Sequence, residues 1–246
     1  MKDDQITQVV ILAGGLGTRI RSINSELPKA LIEVCGKPFL DWQLRWLKKN
    51  GVKKVLLCIG YLADAIENFA KDGSQWGLEI DYHRDGKTLL GTGGVLRSAY
   101  DAKKIEDNFF LLYGDSFLPI DFQSIYNFYK SNQSTDLMTV FKNNNQFDKS
   151  NVQFNSTNYQ IQLYDKHYVT QPMENFDYID YGLSILNKAT LQTIPTELKF
   201  DLSELYHQLS LQKKLTGYEV TQRFYEIGTP QGLKEFEAWL KENLYF

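Results

Sequence analysis

Val9-Val-Ile-Leu-Ala-Gly-Gly-Leu-Gly-Thr-Arg19, followed at 28–29 by Pro-Lys, is the stretch that decides the fold. The five apolar residues Val9 to Ala13 read as a buried strand. Gly14, Gly15 and Gly17 then break it into a tight loop whose bare backbone can approach a polyanion. Backbone N–H groups at the carboxyl end of such a strand point at phosphate oxygens, and Arg19 and Lys29 add side-chain cations for charge the amides cannot neutralise. Two other phosphate loops fail on spacing. A dinucleotide fingerprint through Gly15-x-Gly17 needs glycine or alanine at position 20, which is Ile20, and no Gly-Lys-Ser/Thr follows to make a Walker loop.

Working outward, short apolar runs at 7–13, 54–59, 79–83 and 109–113 alternate with helical patterns at 39–49 and 62–70, and further helices are expected at about 95–102 and 122–130. That alternation is the sequence form of βαβ units feeding a parallel sheet covered by helices. From 136 onward the pattern changes to strand-like runs at 137–141, 152–154, 160–164 and 178–186, which predicts antiparallel strands added to the parallel sheet. Helices are expected at 187–192, 201–213 and 230–241, the last with Thr229 as N-cap and Pro230 at its first position. The fold class is therefore α/β: a Rossmann-like, mixed but mainly parallel sheet flanked by helices, in one domain over 1–241. Glu242-Asn-Leu-Tyr-Phe246 matches the start of a common protease-cleavage linker, so these residues stand outside the fold reading, and the natural chain is expected to end near Leu240 or Lys241.

At 246 residues and 43% apolar content the chain can bury a substantial core. A net charge of −3 without a basic run gives nucleic-acid binding little support. No apolar run approaches the roughly 20 residues of a bilayer span, and Met-Lys-Asp-Asp-Gln is not a signal peptide, so a cytoplasmic protein without membrane partners is expected. Cys35 and Cys58 sit in apolar segments, as reduced cysteines do, and His83, His167 and His207 lack ligand spacing. Gly114-Asp115-Ser116 follows the buried run Phe109 to Tyr113, which places Asp115 just beyond a strand's carboxyl end, where open α/β sheets bind ligands. A carboxylate beside a triphosphate usually holds Mg²⁺, which takes one or two carboxylates plus substrate phosphates, so a second acid is expected.

The run Leu12 to Arg19 with Pro28-Lys29 resembles the signature of the sugar-1-phosphate nucleotidyltransferases. The likeness recurs at Gly36-Lys37-Pro38, Leu90-Gly91-Thr92-Gly93-Gly94, Gly114-Asp115-Ser116, Asp165-Lys166 and Tyr225-Glu226-Ile227-Gly228-Thr229-Pro230, and so spans nearly the whole chain. It is nearest to the short bacterial type that includes heptose-1-phosphate guanylyltransferases and N-acetylmuramate-1-phosphate uridylyltransferases. The resemblance implies a GT-A-like fold and a Mg²⁺-dependent condensation of a nucleoside triphosphate with a sugar 1-phosphate, giving an NDP-sugar for cell-surface polysaccharide such as lipopolysaccharide or capsule. Homo-oligomers are compatible with it.

By the same resemblance, Leu12, Ala13, Gly14, Gly15, Gly17 and Thr18 cradle the nucleotide, and Gly91, Thr92 and Gly93 receive its base through backbone groups. Arg19 holds the leaving β- and γ-phosphates, Lys29 lies near the α-phosphate, and Asp115 and Glu226 hold the metal, Glu226 standing where the family more often has Asp. Asp165 meets the sugar hydroxyls and Lys166 the sugar phosphate, with Asn151 and Asp180-Tyr181-Gly182 in the places that contact the sugar. The attacking phosphate monoester is already ionised at neutral pH, so no general base is needed, and catalysis reduces to positioning and charge stabilisation. Two alternatives stand open. One is a cytidylyltransferase for phosphocholine or a phosphonate, with an aromatic cage drawn from Tyr164, Tyr168, Tyr178 and Tyr181. The other is a non-catalytic nucleotide-binding module.

Overall fold

The computed structural model describes residues 6–15, 27–86, 89–170, 172, 175–196 and 198–243. In the first half the chain forms β1 (Gln8–Leu12), the hairpin β2 (Glu33–Val34) and β3 (Lys37–Pro38), α1 (Phe39–Lys49), β4 (Lys54–Ile59), α2 (Ala63–Ala70), β5 (Glu79–Arg84), α3 (Gly91–Asp101), β6 (Asn108–Tyr113), β7 (Ser116–Phe117) and α4 (Phe122–Ser131). The second half adds β8 (Asp136–Lys142), β9 (Val152–Asn155), β10 (Gln160–Tyr164), β11 (Tyr178–Asn187), α5 (Leu202–Leu211), β12 (Leu215–Val220), β13 (Tyr225–Glu226) and α6 (Pro230–Asn243). The segment expected as a helix at 187–192 is a 3₁₀ helix, Lys188–Thr193, capped by the Asn187 side chain on the Ala189 N–H.

One nine-stranded sheet runs through both halves in the order β5-β4-β1-β6-β11-β8-β12-β10-β9. β5, β4, β1 and β6 are mutually parallel, and β11 turns the sheet mixed by pairing antiparallel with both β6 and β8. The expected change of pattern near residue 136 is therefore real. Successive side chains of a strand point to opposite faces, and the core follows that rule. Val9, Ile11, Leu57, Phe110 and Leu112 meet α1, α2 and α4 on one face, whereas Val10, Leu56, Cys58, Phe109 and Leu111 meet α3 and α5 on the other. Such two-sided burial explains why β1 and β6 read as unbroken apolar runs rather than alternating ones.

Local signals set the helix ends. Asp121 accepts the N–H groups of Gln123 and Ser124 at the start of α4, Asp201 and Glu204 form a reciprocal capping box on α5, and Thr229 Oγ1 accepts the Gly232 N–H at the start of α6. α6 packs Phe236 and Leu240 against Phe39, Trp42 and Phe117, which ties the end of the chain back to α1 and β7. α3 begins four residues earlier than its apolar periodicity indicates, at Gly91 rather than Val95. Its first turn is held from outside: the N–H groups of Gly93 and Gly94 both donate to the Phe200 carbonyl, at 2.9 and 3.0 Å. A Cβ on Gly91 would lie 2.6 Å from that oxygen, and φ there is +76°, so only glycine fits.

Candidate active site

A cleft of about 360 Å³ opens at the carboxyl ends of the parallel strands. Leu12, Ala13, Gly14 and Gly15 come from the end of β1, Cys58 from β4, Asp85 from just after β5, and Tyr113, Gly114 and Asp115 from the end of β6. Gly91, Thr92 and Val95 of α3 close one wall, and Lys29, Ala30 and Gly228 another. β1 sits between β4 and β6, so its loop emerges in the middle of this opening. The loop is tied down before it enters: Ala13 N–H donates to the Cys58 carbonyl at 2.8 Å, and Gly114 N–H to the Leu12 carbonyl at 3.0 Å. Gly15 is exposed and a Cβ there would touch nothing within 4 Å, which leaves its backbone open to a ligand. Of the residues expected around the phosphates, Gly17, Thr18 and Arg19 lie outside the described residues.

Lys29 and Asp115 come together across the cleft, Nζ to Oδ2 at 2.6 Å. The lysine side chain is 14% exposed and the aspartate 36%, so the pair is oriented by its surroundings while Asp115 stays within reach of a bound molecule. Glu226 joins them through the short antiparallel pairing of β13 with β7, in which Glu226 stands opposite Ser116, next to Asp115. The Ile227 N–H donates to the Asp115 carbonyl at 3.0 Å and locks the two segments. A Cβ on Gly228 would lie 3.0 Å from Lys29 Nζ and 3.6 Å from Glu226 Oε2, so both side chains end at one point, and glycine at 228 makes the room. Two carboxylates and an ammonium thus converge. Among the described residues no group of three or more acidic, histidine or cysteine side chains could hold a metal alone. The set fits a hard cation that borrows its remaining ligands from phosphate oxygens.

At the end expected to receive the base, Gly91 and Thr92 line the cleft, but Gly93 does not. Its N–H is committed to Phe200, so it holds α3 in place rather than offering a donor to a base. Thr92 Oγ1 likewise accepts the Leu202 N–H at 2.8 Å. Asp85, which no motif marked, lines the same end of the cleft. Burial pushes its carboxyl up to about 6.

The expected sugar side lies beyond Tyr113, outside the cleft's lining. Tyr113 links the two by donating its O–H to Asp180 Oδ2 at 3.1 Å, and the other Asp180 oxygen accepts the Gly182 N–H at 2.9 Å. Burial raises Asp180 to about 6 against the pull of those two donors and of Lys166. Asn151 Oδ1 accepts the Asp180 N–H at 3.0 Å, so Asn151 belongs to this group. Lys166 is half exposed and stands 3.5 Å from Asp201, the cap of α5.

Three expectations need correction. Asp165 is 4% exposed and already accepts the His167 N–H, the Thr170 N–H and the Thr170 hydroxyl. Burial alone would raise it, but the donations from Thr170, Val169 and His167 win and hold it at about 2. It braces the loop that carries Lys166 and offers no oxygen to a sugar. Tyr181 is 1% exposed and packs on Phe141 and Phe224, which makes it core. Gly182 is buried behind the Tyr113 ring with φ +105°, and it serves the backbone bend that turns its N–H to Asp180. The aromatic cage also dissolves into separate pairs, Tyr164 with Tyr206, Tyr168 with Phe176, Tyr178 with Phe154 and Tyr181 with Phe224.

The missed residues, Asp85 and Tyr113, share one property. Each stands at or just past the end of a strand, β5 or β6, and only sheet order brings the two to one cleft.

The fold is an α/β sheet with its cleft at the carboxyl ends of the parallel strands, where open α/β sheets bind ligands. The nucleotidyl transferase family model matches residues 8–233, and the chain belongs to that family. The D-glycero-alpha-D-manno-heptose 1-phosphate guanylyltransferase of Campylobacter jejuni is 30% identical over 230 residues, 93% of this chain and 98% of the relative. Its counterpart from Aneurinibacillus thermoaerophilus is 29% identical over 239 residues, 96% of this chain and 100% of the relative. In fold, the chain is similar to the crystal structure of HddC from Yersinia pseudotuberculosis, with a TM-score of 0.77 at 24% identity over 96% of this chain and 100% of that one.

Proposed function

We propose that this protein joins a nucleoside triphosphate to a sugar 1-phosphate, releasing pyrophosphate and forming an NDP-sugar, with a heptose 1-phosphate and GTP as the substrates. The observation that carries the reading is the convergence of Lys29, Asp115 and Glu226 beside the Gly14-Gly15 loop. That arrangement answers the chemical problem directly. Two polyanions must be brought into line, and the charge that builds on the α-phosphate must be met by groups already in position.

In this reading the Gly14 and Gly15 backbone receives phosphate oxygens, and Lys29 neutralises charge at the α-phosphate as attack proceeds. Arg19 follows the same loop and is assigned to the leaving pyrophosphate. Lys166, on the loop braced by Asp165, holds the phosphate of the incoming sugar and screens it from the triphosphate. Asp180 and Asn151 lie on the same side, near the sugar ring. No side chain has to remove a proton from the nucleophile. Mg²⁺, held by Asp115 and Glu226, supplies Lewis-acid stabilisation of phosphate charge when bound. The dispersal of the four tyrosines into separate ring pairs argues against a quaternary-amine substrate.

The test is pyrophosphate release with GTP, UTP, CTP and dTTP against a panel of sugar 1-phosphates that includes a heptose 1-phosphate, with and without Mg²⁺. Turnover confined to the metal-containing reactions, fastest with a heptose 1-phosphate, is expected. Nucleotide binding without pyrophosphate release from any pair would leave a binding module instead.

A further inference from the structure

The turn that carries Asp115 is gripped from behind by a residue outside the cleft's lining. Gln43, on α1, is 2% exposed. Its Nε2 donates to the Tyr113 carbonyl at 3.2 Å and to the Ser116 carbonyl at 2.8 Å, the residues on either side of Gly114-Asp115. A primary amide carries two N–H groups on one nitrogen, so a single side chain can pin both ends of this four-residue turn. Its Oε1 is buried and accepts from no described residue, so among the described residues those two donations are all that the carboxamide makes.

The same helix also holds the other half of the ion pair. Lys29 opens a 3₁₀ turn, Lys29–Leu31, which the Ile32 N–H closes on the Lys29 carbonyl at 3.1 Å. The Phe39 N–H, at the head of α1, donates in turn to the Ile32 carbonyl at 2.9 Å. About one helical turn further on, α1 sends Gln43 to the Asp115 turn. Lysine and aspartate sides of the cleft thus hang on one helix, and Leu40, Leu44 and Leu47 anchor that helix in the core. The turn has little slack elsewhere: a Cβ on Gly114 would lie 2.7 Å from the Leu12 carbonyl, and the Asp115 carbonyl is taken by the Ile227 N–H.

We propose that Gln43 is a positioning residue of the metal site, setting the Asp115 carboxylate against Lys29 and Glu226 by holding the turn that bears it. The assignment rests on Asp115 holding the metal, as in the proposed function, and adds the residue that aims it. A cation with few protein ligands depends on where each of them stands, and the groups that hold a ligand in place are typically worth about 10- to 100-fold in metal affinity or activity. Glutamine suits the position. A neutral donor leaves the Asp115 charge to the metal and to Lys29, whereas lysine or arginine would compete for it, and asparagine is one methylene short.

Gln43→Met keeps the length of the side chain and removes both donors. Water-proton relaxation by Mn²⁺, in the presence of the α,β-methylene analogue of GTP, reads metal on the protein without turnover. The variant should bind Mn²⁺ roughly 10-fold more weakly than the wild type, and the Mg²⁺ needed for half-maximal pyrophosphate release should rise as much. At saturating Mg²⁺, KM for both substrates should stay near its wild-type value. Leu44→Ala, a cavity in the same helix, separates position from stability: it should lower the urea midpoint and leave Mn²⁺ affinity unchanged. If circular dichroism shows Gln43→Met unfolded, Gln43→Ala reads the same contact, since water in the vacated space pairs the carbonyls without fixing them. Mn²⁺ affinity lost with Gln43 and kept in Leu44→Ala would support the assignment even without pyrophosphate release, whose absence would end only the catalytic reading. Wild-type Mn²⁺ affinity in a folded Gln43 variant, an equal loss in Leu44→Ala, or a wild type that binds no Mn²⁺ would overturn it.

Discussion

The parallel half of the sheet and its antiparallel extension make their sites in opposite ways. Around β1, β4 and β6 the cleft is lined by glycines at strand ends and by one ion pair, Lys29 with Asp115, fixed across it. Around β9, β10 and β11 the polar side chains are mostly engaged with one another, as Asp165 is with Thr170 and Asp180 with Tyr113 and Gly182. Phosphate is the same group on every nucleotide, so a backbone cradle serves it whatever the base. Sugars differ in the direction of each hydroxyl, so telling them apart needs side chains held by further side chains, as in the network around Asp180. Identical chemistry leaves a short motif, whereas variable chemistry leaves a network.

The sharpest way to test that contrast is to remove the charge at the cleft. Asp115→Asn keeps the volume and the Ile227 N–H contact to its carbonyl, so the circular dichroism spectrum should be unchanged, while pyrophosphate release should fall by about 10²- to 10³-fold or more. Near-normal turnover would show that the carboxylate is not part of the charge-stabilising set.

A middle-sized effect separates two neighbours that the sequence pairs as one motif. Lys166→Ala should raise KM for the sugar 1-phosphate by roughly 10-fold with little change in KM for the triphosphate, the loss of one charge-assisted contact. Asp165→Ala should instead lower stability by about 1–3 kcal/mol, because the loop that follows loses the buried carboxylate that accepts the Thr170 N–H and hydroxyl, hydrogen bonds to a charged group. Urea denaturation of both variants beside initial-rate kinetics decides it, and the expected pattern is one kinetic defect and one stability defect. Equal kinetic defects would return Asp165 to the sugar.

The smallest effect is a pH slope. Burial lifts Asp180 to about 6, above its ordinary 3.8. The native protein therefore holds a proton between those values that the unfolded chain has released. The stability this contributes is fully present below about pH 4 and is lost as pH rises through 6. Asp180→Asn removes the titration but keeps an acceptor for the Tyr113 hydroxyl. Between pH 4.5 and 6.5, urea denaturation should show wild type losing stability relative to the variant, and parallel curves would mean that Asp180 titrates normally.

Legibility followed the same divide. The strands at 54–59 and 109–113 and the helix at 39–49 were readable because a two-sided core demands unbroken apolar runs and amphipathic helices demand a 3.6-residue period. Gly93 misled because one requirement, room for a close backbone approach, is shared by a base-reading loop and by a helix start packed on Phe200. Tyr181 misled because a core tyrosine and a sugar-stacking tyrosine are the same residue in a string. Asp85 left no signal, since a single acid after a strand has no periodicity and no motif.

By itself the sequence determined the α/β class, the phosphate loop with its Pro28-Lys29 sequel, the placing of Asp115 at a strand end and membership of a family. These depend on neighbours within a few residues, through backbone freedom, hydrophobic period and helix capping. Tertiary structure decided which polar groups face a ligand and which face the protein: that Lys29, Asp115 and Glu226 meet, that Asp165 turns inward, and that Asp85 lacks a donor. The reason is that hydrogen-bond satisfaction belongs to the whole packed chain. A carboxylate's partner can be three residues away or a hundred, and only the order of strands in the sheet says which.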